Sequence, residues 1–146
     1  MYGDPDVLRS RVGDLREQAA DVRALADHLV AQTEQLGRHG WTGRAAEAMR
    51  RRVVERAAHL RSVAGHHDTA ADCLEDHAGE VAVLLESIAA AERRLTERVA
   101  EATERVARRA PDARADAAAE ADAALLAFEP PPPGHRDWLE LEVPGP

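Results

Sequence analysis

The chain has 146 residues, a formal net charge of −8 at neutral pH, and few aromatic side chains: one Phe, one Tyr and two Trp. This length allows one domain or one long helical hairpin with a tail, and it excludes most multidomain enzymes. The excess of acidic residues gives no general reason to bind nucleic acid or an anionic membrane, and residues 50–52, three consecutive arginines, are the local exception. With so few aromatics, a core must be built from Leu, Val and Ala, which favours closely packed helices.

Residues 4–36 have the heptad pattern of one long amphipathic helix. Asp4 can cap its N-terminus, and Pro5 can occupy the first helical position, where a missing N–H costs nothing. Large apolar side chains repeat every seven residues, and mostly small ones follow four residues after each of them. The large row of this helix is Leu8, Leu15, Val22, Leu29 and Leu36, and its small row is Val12, Ala19, Ala26 and Thr33.

Three glycines within residues 37–43 predict a turn after the first helix. Gly37 fits the position just beyond a helix C-terminus, and Thr42 or Gly43 can begin the next helix. We expect Trp41 to cover the open end of the resulting hairpin, with ligand stacking or partner binding as the alternative for an exposed indole. Trp41 and Gly43 are therefore the candidate turn residues.

A second heptad pattern follows and predicts a longer helix. One straight helix over residues 43–110 would be about 100 Å long, twice the length of the first. We therefore expect a kink or break within residues 65–69, with Gly79 as the second candidate. The large row of this helix is Ala46, Val53, Leu60, His67, Leu74, Val81, Ile88, Leu95 and Ala102, and its small row is Ala57, Ala64, Ala71 and Ala78, continued by Leu85, Val99 and Val106.

The last third of the chain changes in composition. Pro111 predicts the end of the helical pattern, and an Ala-rich segment predicts a short helix that ends near Phe128. Four prolines then predict a stiff polyproline piece followed by a mobile or docking tail. The predicted fold is all-α: an antiparallel helical hairpin over residues 1–110, a short third or fourth helix over residues 111–129, and a flexible, extended Pro-rich tail over residues 130–146.

Side chains that carry chemistry are scarce. The sequence contains no phosphate-binding loop, zinc-protease motif or nucleophile elbow, so we expect no enzyme activity, no catalytic residue and no cofactor. His59, His66, Cys73 and Glu80 are spaced by seven, and His77 follows Cys73 by four residues. Because His59 and His77 would lie about 27 Å apart on one helix, we expect a polar flank and no metal site. A small metal sensor at Cys73 and His77 remains an alternative.

Two stretches of sequence resemble a known family. The residues at 40–43 read GWTG and lie between two amphipathic helices, as in the Trp-X-Gly (Esx-like) family of type VII secretion substrates. Residues 3–9 (GDPDVLR) and 41–50 (WTGRAAEAMR) look like the putative type VII secretion signal domain, with Met49 where that pattern usually has Phe. The similarity covers roughly residues 3–110.

The resemblance implies a hairpin that pairs with a second hairpin as a four-helix bundle, and export by the type VII secretion machinery without a cleaved signal peptide. It also implies that Trp41 and Gly43 shape a turn that forms half of an export signal. The other half is usually Tyr-x-x-x-Asp/Glu after the second helix. Here the only tyrosine is Tyr2, and the nearest substitutes are His77 with Glu80 and Trp138 with Glu142, so we expect a partner to carry the missing signal.

We therefore predict a non-enzymatic hairpin protein that is cytoplasmic before export and then secreted. Its expected partner is a second helical protein, as a homodimer or a heterodimer, with no nucleic acid and no stable membrane insertion. A cytosolic coiled-coil scaffold unrelated to secretion is the alternative function. The residues expected to form the partner interface are Leu15, Val22, Leu29, Leu60, Leu74, Val81 and Leu85.

Overall fold

The computed structural model describes residues 3–110 and 116–143. Within these ranges the secondary structure is entirely helical and contains no strand. The helices are α1 (Pro5–Arg38), α2 (Arg44–Arg108) and α3 (Ala117–Leu126), followed by a short 3₁₀ helix at Arg136–Leu139. Two long helices joined by a short turn confirm the predicted all-α, hairpin-like architecture.

The helix α1 begins as its sequence predicts. The Asp4 carboxylate accepts a hydrogen bond from the backbone N–H of Asp6 at 2.9 Å, and Pro5 is the first helical residue. The short helix α3 begins in the same way, because the Asp116 carboxylate accepts from the N–H of Ala119 at 2.8 Å. The predicted helix stop at Pro111 lies outside the described residues.

The described residues divide into two compact units, residues 3–80 and residues 81–143. The N-terminal unit contains α1 and the first part of α2, and the C-terminal unit contains the rest of α2 with α3 and the segment after it. This division falls inside α2 and therefore differs from the predicted boundary at residue 110. The helix itself continues through residues 65–69 and through Gly79, so a break at either place is wrong, while a kink there stays a prediction.

Packing explains why these two weak points do not end the helix. A glycine within a helix costs about 1 kcal/mol relative to alanine. The flanking residues Ala64, Ala71 and Ala78 are all buried, so leaving the helix would expose a packed surface. Thr69 does not cap a new helix, because its hydroxyl donates to the Gly65 carbonyl at 3.0 Å within the existing one.

Small side chains make the contact between α1 and α2 in the N-terminal unit. Val12, Ala19 and Ala26 of α1 are buried, as is the small row of α2 from residue 57 to residue 78. The large rows are only half-buried over the same stretch, as Leu15 and Leu60 show. Because alanine has no side chain beyond Cβ, the two backbones can approach closely, and the large side chains are displaced to the side of the contact.

The C-terminal unit has its own core. Ile88, Leu95 and Ala102 of α2 are buried together with Leu125 of α3 and Trp138 of the 3₁₀ helix. In this unit the large row of α2 is therefore the buried one. Phe128, which follows α3, packs against the same cluster. Leu141 and Val143 also pack against it, so the segment after residue 130 contributes directly to the core.

Hydrogen bonds also hold this segment in place, so residues 130–143 follow the docking alternative of the sequence analysis and are not a flexible, extended tail. The indole N–H of Trp138 donates to the Pro132 carbonyl at 3.0 Å. The backbone N–H of Gly134 donates to the Glu92 carboxylate of α2 at 2.7 Å. The sequence signal for a packed segment was the alternation of apolar and acidic side chains over residues 139–143.

A buried carboxylate joins α3 to α2. Asp122 is only 4% exposed, and its Oδ1 accepts from Arg105 Nη2 at 2.8 Å and from Arg105 Nε at 3.1 Å. Arg109 Nη2 lies 3.6 Å from the other carboxylate oxygen. The hydrogen bonds from Arg105 lower the pKa of Asp122, against the opposing effect of burial. Asp122 is therefore ionised in the folded protein.

Enlarging one buried alanine should destabilise the hairpin. Ala64 is fully buried in the small row. We expect Ala64→Leu to lower the free energy of unfolding by about 1–3 kcal/mol, because the added carbons have no free space between the helices. Urea unfolding followed by circular dichroism measures the change. The matched control is Ala58→Leu, at an exposed position of the same helix, and equal losses in the two variants would contradict the close helix contact.

Removing the Trp138 side chain should release the C-terminal segment. We expect Trp138→Ala to cost about 3–5 kcal/mol of local stability, the usual loss for deleting a buried aromatic side chain. Hydrogen exchange should then be faster in residues 130–143. The control is Leu139→Ala, whose side chain is 39% exposed. Unchanged exchange in the Trp138 variant would show that this segment is not held by its core contact.

Candidate functional site

Ion pairs between α1 and α2 close one edge of the N-terminal unit. Arg16 Nη2 lies 2.6 Å from Glu75 Oε2 and 3.1 Å from Asp72 Oδ1. Arg23 pairs with Asp68 in the same way. Nearer the turn, α2 supplies the guanidinium and α1 the carboxylate, because Arg61 Nη2 lies 2.6 Å from Asp27 Oδ1. Charged side chains therefore connect the two helices along much of their shared length.

These pairs fix the register of the hairpin more than its stability. The hydrogen bond to Glu75, and next the one to Asp72, raises the pKa of Arg16. The guanidinium groups and carboxylates are largely exposed, and exposed ion pairs contribute about 0–1 kcal/mol each. Their repetition along the hairpin still opposes a shift of one helix relative to the other, because a shift would separate all of the paired charges at once.

The large rows lie at the opposite edge. Along a helix, the residue three positions after a small-row residue points about 60° to one side, and the residue four positions after it points about 40° to the other. Arg16, Arg23, Asp68 and Glu75 are all four positions after a small-row residue, and they meet across the two helices. The large rows are three positions after, so those of both helices share the other edge.

That edge is apolar and open. Seven of its aliphatic side chains are half-buried, with the rest of their surface exposed in this chain. Leu25 beside them is 51% exposed. We call the seven side chains the leucine face: Leu8, Leu15, Val22 and Leu29 of α1 with Val53, Leu60 and Leu74 of α2.

The structure brings together most of the predicted interface residues. Five of the seven belong to the leucine face, namely Leu15, Val22, Leu29, Leu60 and Leu74. The remaining two belong to the C-terminal unit, where Val81 is 2% exposed and Leu85 is half-buried. The heptad repeat could not separate the two groups, because it continues along α2 whether α1 or the C-terminal segment covers it.

One polar residue interrupts the large row of α2. His67 is half-buried between the positions of Leu60 and Leu74. Its Nδ1 is shielded from solvent and has no hydrogen-bond partner within residues 3–110 and 116–143. A shielded polar atom without a partner costs about 1–3 kcal/mol. The large row of α2 therefore contains one buried polar atom, His67 Nδ1, without a hydrogen-bond partner in the described part of the chain.

The turn depends on two glycines. Gly40 and Gly43 have φ angles of +87° and +101°, a region that side chains with a Cβ rarely adopt. The helix α1 continues to Arg38, so Gly37 lies inside it and not beyond it. The backbone N–H of Trp41 donates to the Leu36 carbonyl at 3.2 Å. Gly43 lies in the turn at a positive φ, and α2 begins at the next residue.

The Trp41 side chain does not fully cover the end of the hairpin. It is 38% exposed. Arg50 reaches back from α2, with its Nη1 3.5 Å from the Trp41 carbonyl oxygen and close to Gly37. Because much of the indole surface faces solvent, both of its expected roles, covering the helix ends and contacting a partner, are sterically open.

The histidine and cysteine residues of α2 are not gathered into one place. Within residues 3–110 and 116–143, no three His, Cys, Asp or Glu side chains are close enough to hold a metal ion. Cys73 is exposed, and His77 Nδ1 lies 3.9 Å from Glu80 Oε2 on the surface. Trp138, the other substitute for the missing tyrosine, is buried in the C-terminal unit.

No helix in the described part of the chain is long and apolar enough to cross a membrane. Comparisons of the chain with protein-family models, with curated proteins and with solved structures find no match.

Proposed function

We propose that this protein binds a second helical hairpin through its leucine face and forms a four-helix bundle. The observation that carries the proposal is the leucine face itself, an apolar edge that α1 and α2 leave open together. A solvated surface helix would instead place polar side chains at these positions. The partner is a second copy of the chain or another helical protein.

The size of the face favours a partner that covers its whole length. Each of these side chains keeps at most about a third of its surface exposed, and burying that remainder contributes about 0.5–1 kcal/mol per Leu or Val. Seven such side chains on each partner are of the same order as the cost of association, about 4–15 kcal/mol. A short peptide that covered two or three of them would bind weakly. A full-length helix or hairpin is therefore the partner that this face fits.

We further propose that the protein is a substrate of a type VII secretion system. The GWTG turn between two long helices supports this function. Its two positive-φ glycines and its exposed tryptophan are compatible with the turn that the resemblance to the Trp-X-Gly family implies. A cytosolic scaffold that uses the same leucine face is the competing function, and an export assay distinguishes the two.

Charged residues in the leucine face should prevent pairing. We expect Leu29→Glu combined with Leu60→Glu to abolish association, because a carboxylate cannot be buried against apolar side chains without a partner. The hairpin itself should remain helical, since its small rows are unchanged. Light scattering after size exclusion gives the mass, in the presence of the partner if the chain alone is monomeric.

The matched control is Val83→Glu, which introduces a carboxylate at a side chain that is 67% exposed in the C-terminal unit. This variant should pair normally. A complex that survives the double substitution in the leucine face, with unchanged mass, would contradict the proposed pairing.

Export should depend on the turn. In cells with a type VII secretion system, we expect the protein in the culture medium and its loss from the medium when the secretion ATPase is deleted. Trp41→Ala should reduce export while leaving the helical content unchanged. Val83→Ala, at a side chain that is 67% exposed in the C-terminal unit, is the control. Retention of all of the protein inside ATPase-positive cells that also contain its partner would support the scaffold function.

A further inference from the structure

The hairpin turn is surrounded by arginines without acidic partners. The turn end, residues 36–56, contains six arginines against two glutamates, although the whole chain has a net charge of −8. None of these six arginines forms an ion pair with any residue in the described part of the chain. They are Arg38, Arg44, Arg50, Arg51, Arg52 and Arg56.

Arginines elsewhere in the chain are generally paired. Ten of them lie within 4.0 Å of a carboxylate, including Arg16 and Arg23 of α1 and Arg105 of α2. The nearest acidic residue of α1 is Glu34, two residues before the turn end, and when it is included the arginines still outnumber the glutamates by six to three. The acidic residues near the other end of the hairpin are too far away to neutralise this charge. Asp68 follows Arg52 by sixteen residues, about 24 Å along α2, and the Debye length in physiological salt is about 8 Å.

Exposed apolar side chains accompany these arginines. Leu36 is 55% exposed, Trp41 38%, Met49 49% and Val54 57%. Trp41 is in the turn itself, and the other three are on the helices that flank it. The turn end therefore combines positive charge with aliphatic and indole surface, the composition of proteins that lie on anionic membranes.

We propose that the turn end binds the surface of an anionic phospholipid bilayer. The arginines contact lipid phosphates, and Trp41, Leu36 and Met49 enter the boundary between headgroups and acyl chains. The indole ring favours this boundary because it is apolar with one polar N–H. This is peripheral contact, and it does not require a helix that crosses the membrane.

The distribution of these side chains favours a bilayer over a macromolecular partner. Met49 and Val54 point about 140° apart around α2, and consecutive arginines in residues 50–52 point about 100° apart. A rigid protein that docks on one side of the helix would reach only some of them, whereas a fluid surface contacts all sides of a protruding end. Single-stranded nucleic acid binds on several stacking aromatics, and the turn end has one.

None of the six arginines belongs to the leucine face, so membrane contact and helical pairing can fail independently.

The probe is a set of vesicles of phosphatidylcholine and phosphatidylglycerol in equal parts, with pure phosphatidylcholine vesicles as the neutral reference. We expect the full chain to sediment with the first and not with the second. Binding should weaken strongly when added salt reduces the Debye length to about 3 Å, because salt screens the contacts between arginines and phosphates.

Two variants test the assignment of the surface. Arg44→Gln with Arg51→Gln and Arg52→Gln should weaken vesicle binding by more than about tenfold, because each basic residue near an anionic surface strengthens binding several-fold. Trp41→Ala should weaken it through lost apolar contact. The charge-matched control replaces three exposed arginines outside the turn end with Gln, and it should bind nearly as the unchanged chain does. These three are Arg9, Arg11 and Arg93.

The proposal is overturned if the chain does not sediment with the anionic vesicles, or if the turn-end and control variants bind equally. Single-stranded DNA and polyglutamate serve as the other anionic probes. Binding to either of them that depends on Arg44, Arg51 and Arg52, without binding to the vesicles, would assign the turn end to an acidic macromolecule and also overturn it.

Discussion

The close contact between the small rows of α1 and α2 is the constraint on which the N-terminal unit depends. Ala19, Ala26, Ala57, Ala64 and Ala71 have no exposed surface, so the two helices approach closely enough to bury side chains that end at Cβ. At that distance the larger side chains do not fit between the helices. They lie to one side, and the leucine face is the direct consequence of burying alanine.

The same contact determines where charge is placed. The edge beside the small rows, opposite the leucine face, carries the ion pairs of Arg16 and Arg23. These pairs connect the helices without using apolar surface, so the apolar edge is left free along its whole length. A hairpin built in this way separates two tasks. Its buried alanines hold the helices together and its ion pairs fix their register, while its leucines form the surface that the proposed partner would cover.

The C-terminal unit also has to bury an apolar row of α2, and it does so with other parts of the chain. Here α2 continues its heptad pattern without α1, and the large row of Ile88, Leu95 and Ala102 would be exposed. The chain covers it with Leu125 of α3 and with Trp138. A buried aspartate of α3, held by two arginines of the preceding segment, adds a polar connection that only the correct placement of α3 satisfies. One repeat in the sequence is therefore buried by two different partners.

The amino-acid sequence by itself determined the helices, the capping of α1, the turn with its glycines, and the two rows of each heptad. These are local properties, fixed by backbone conformation and by spacing along one helix. Only the tertiary structure decided which row is buried, because that depends on how closely a second helix approaches. It likewise decided that α2 continues past Gly65 and Gly79, since buried alanines on either side outweigh the low helix propensity of glycine. The packing of Trp138, five residues beyond the last of four prolines, also required the fold, because its partners on α2 lie far earlier in the chain.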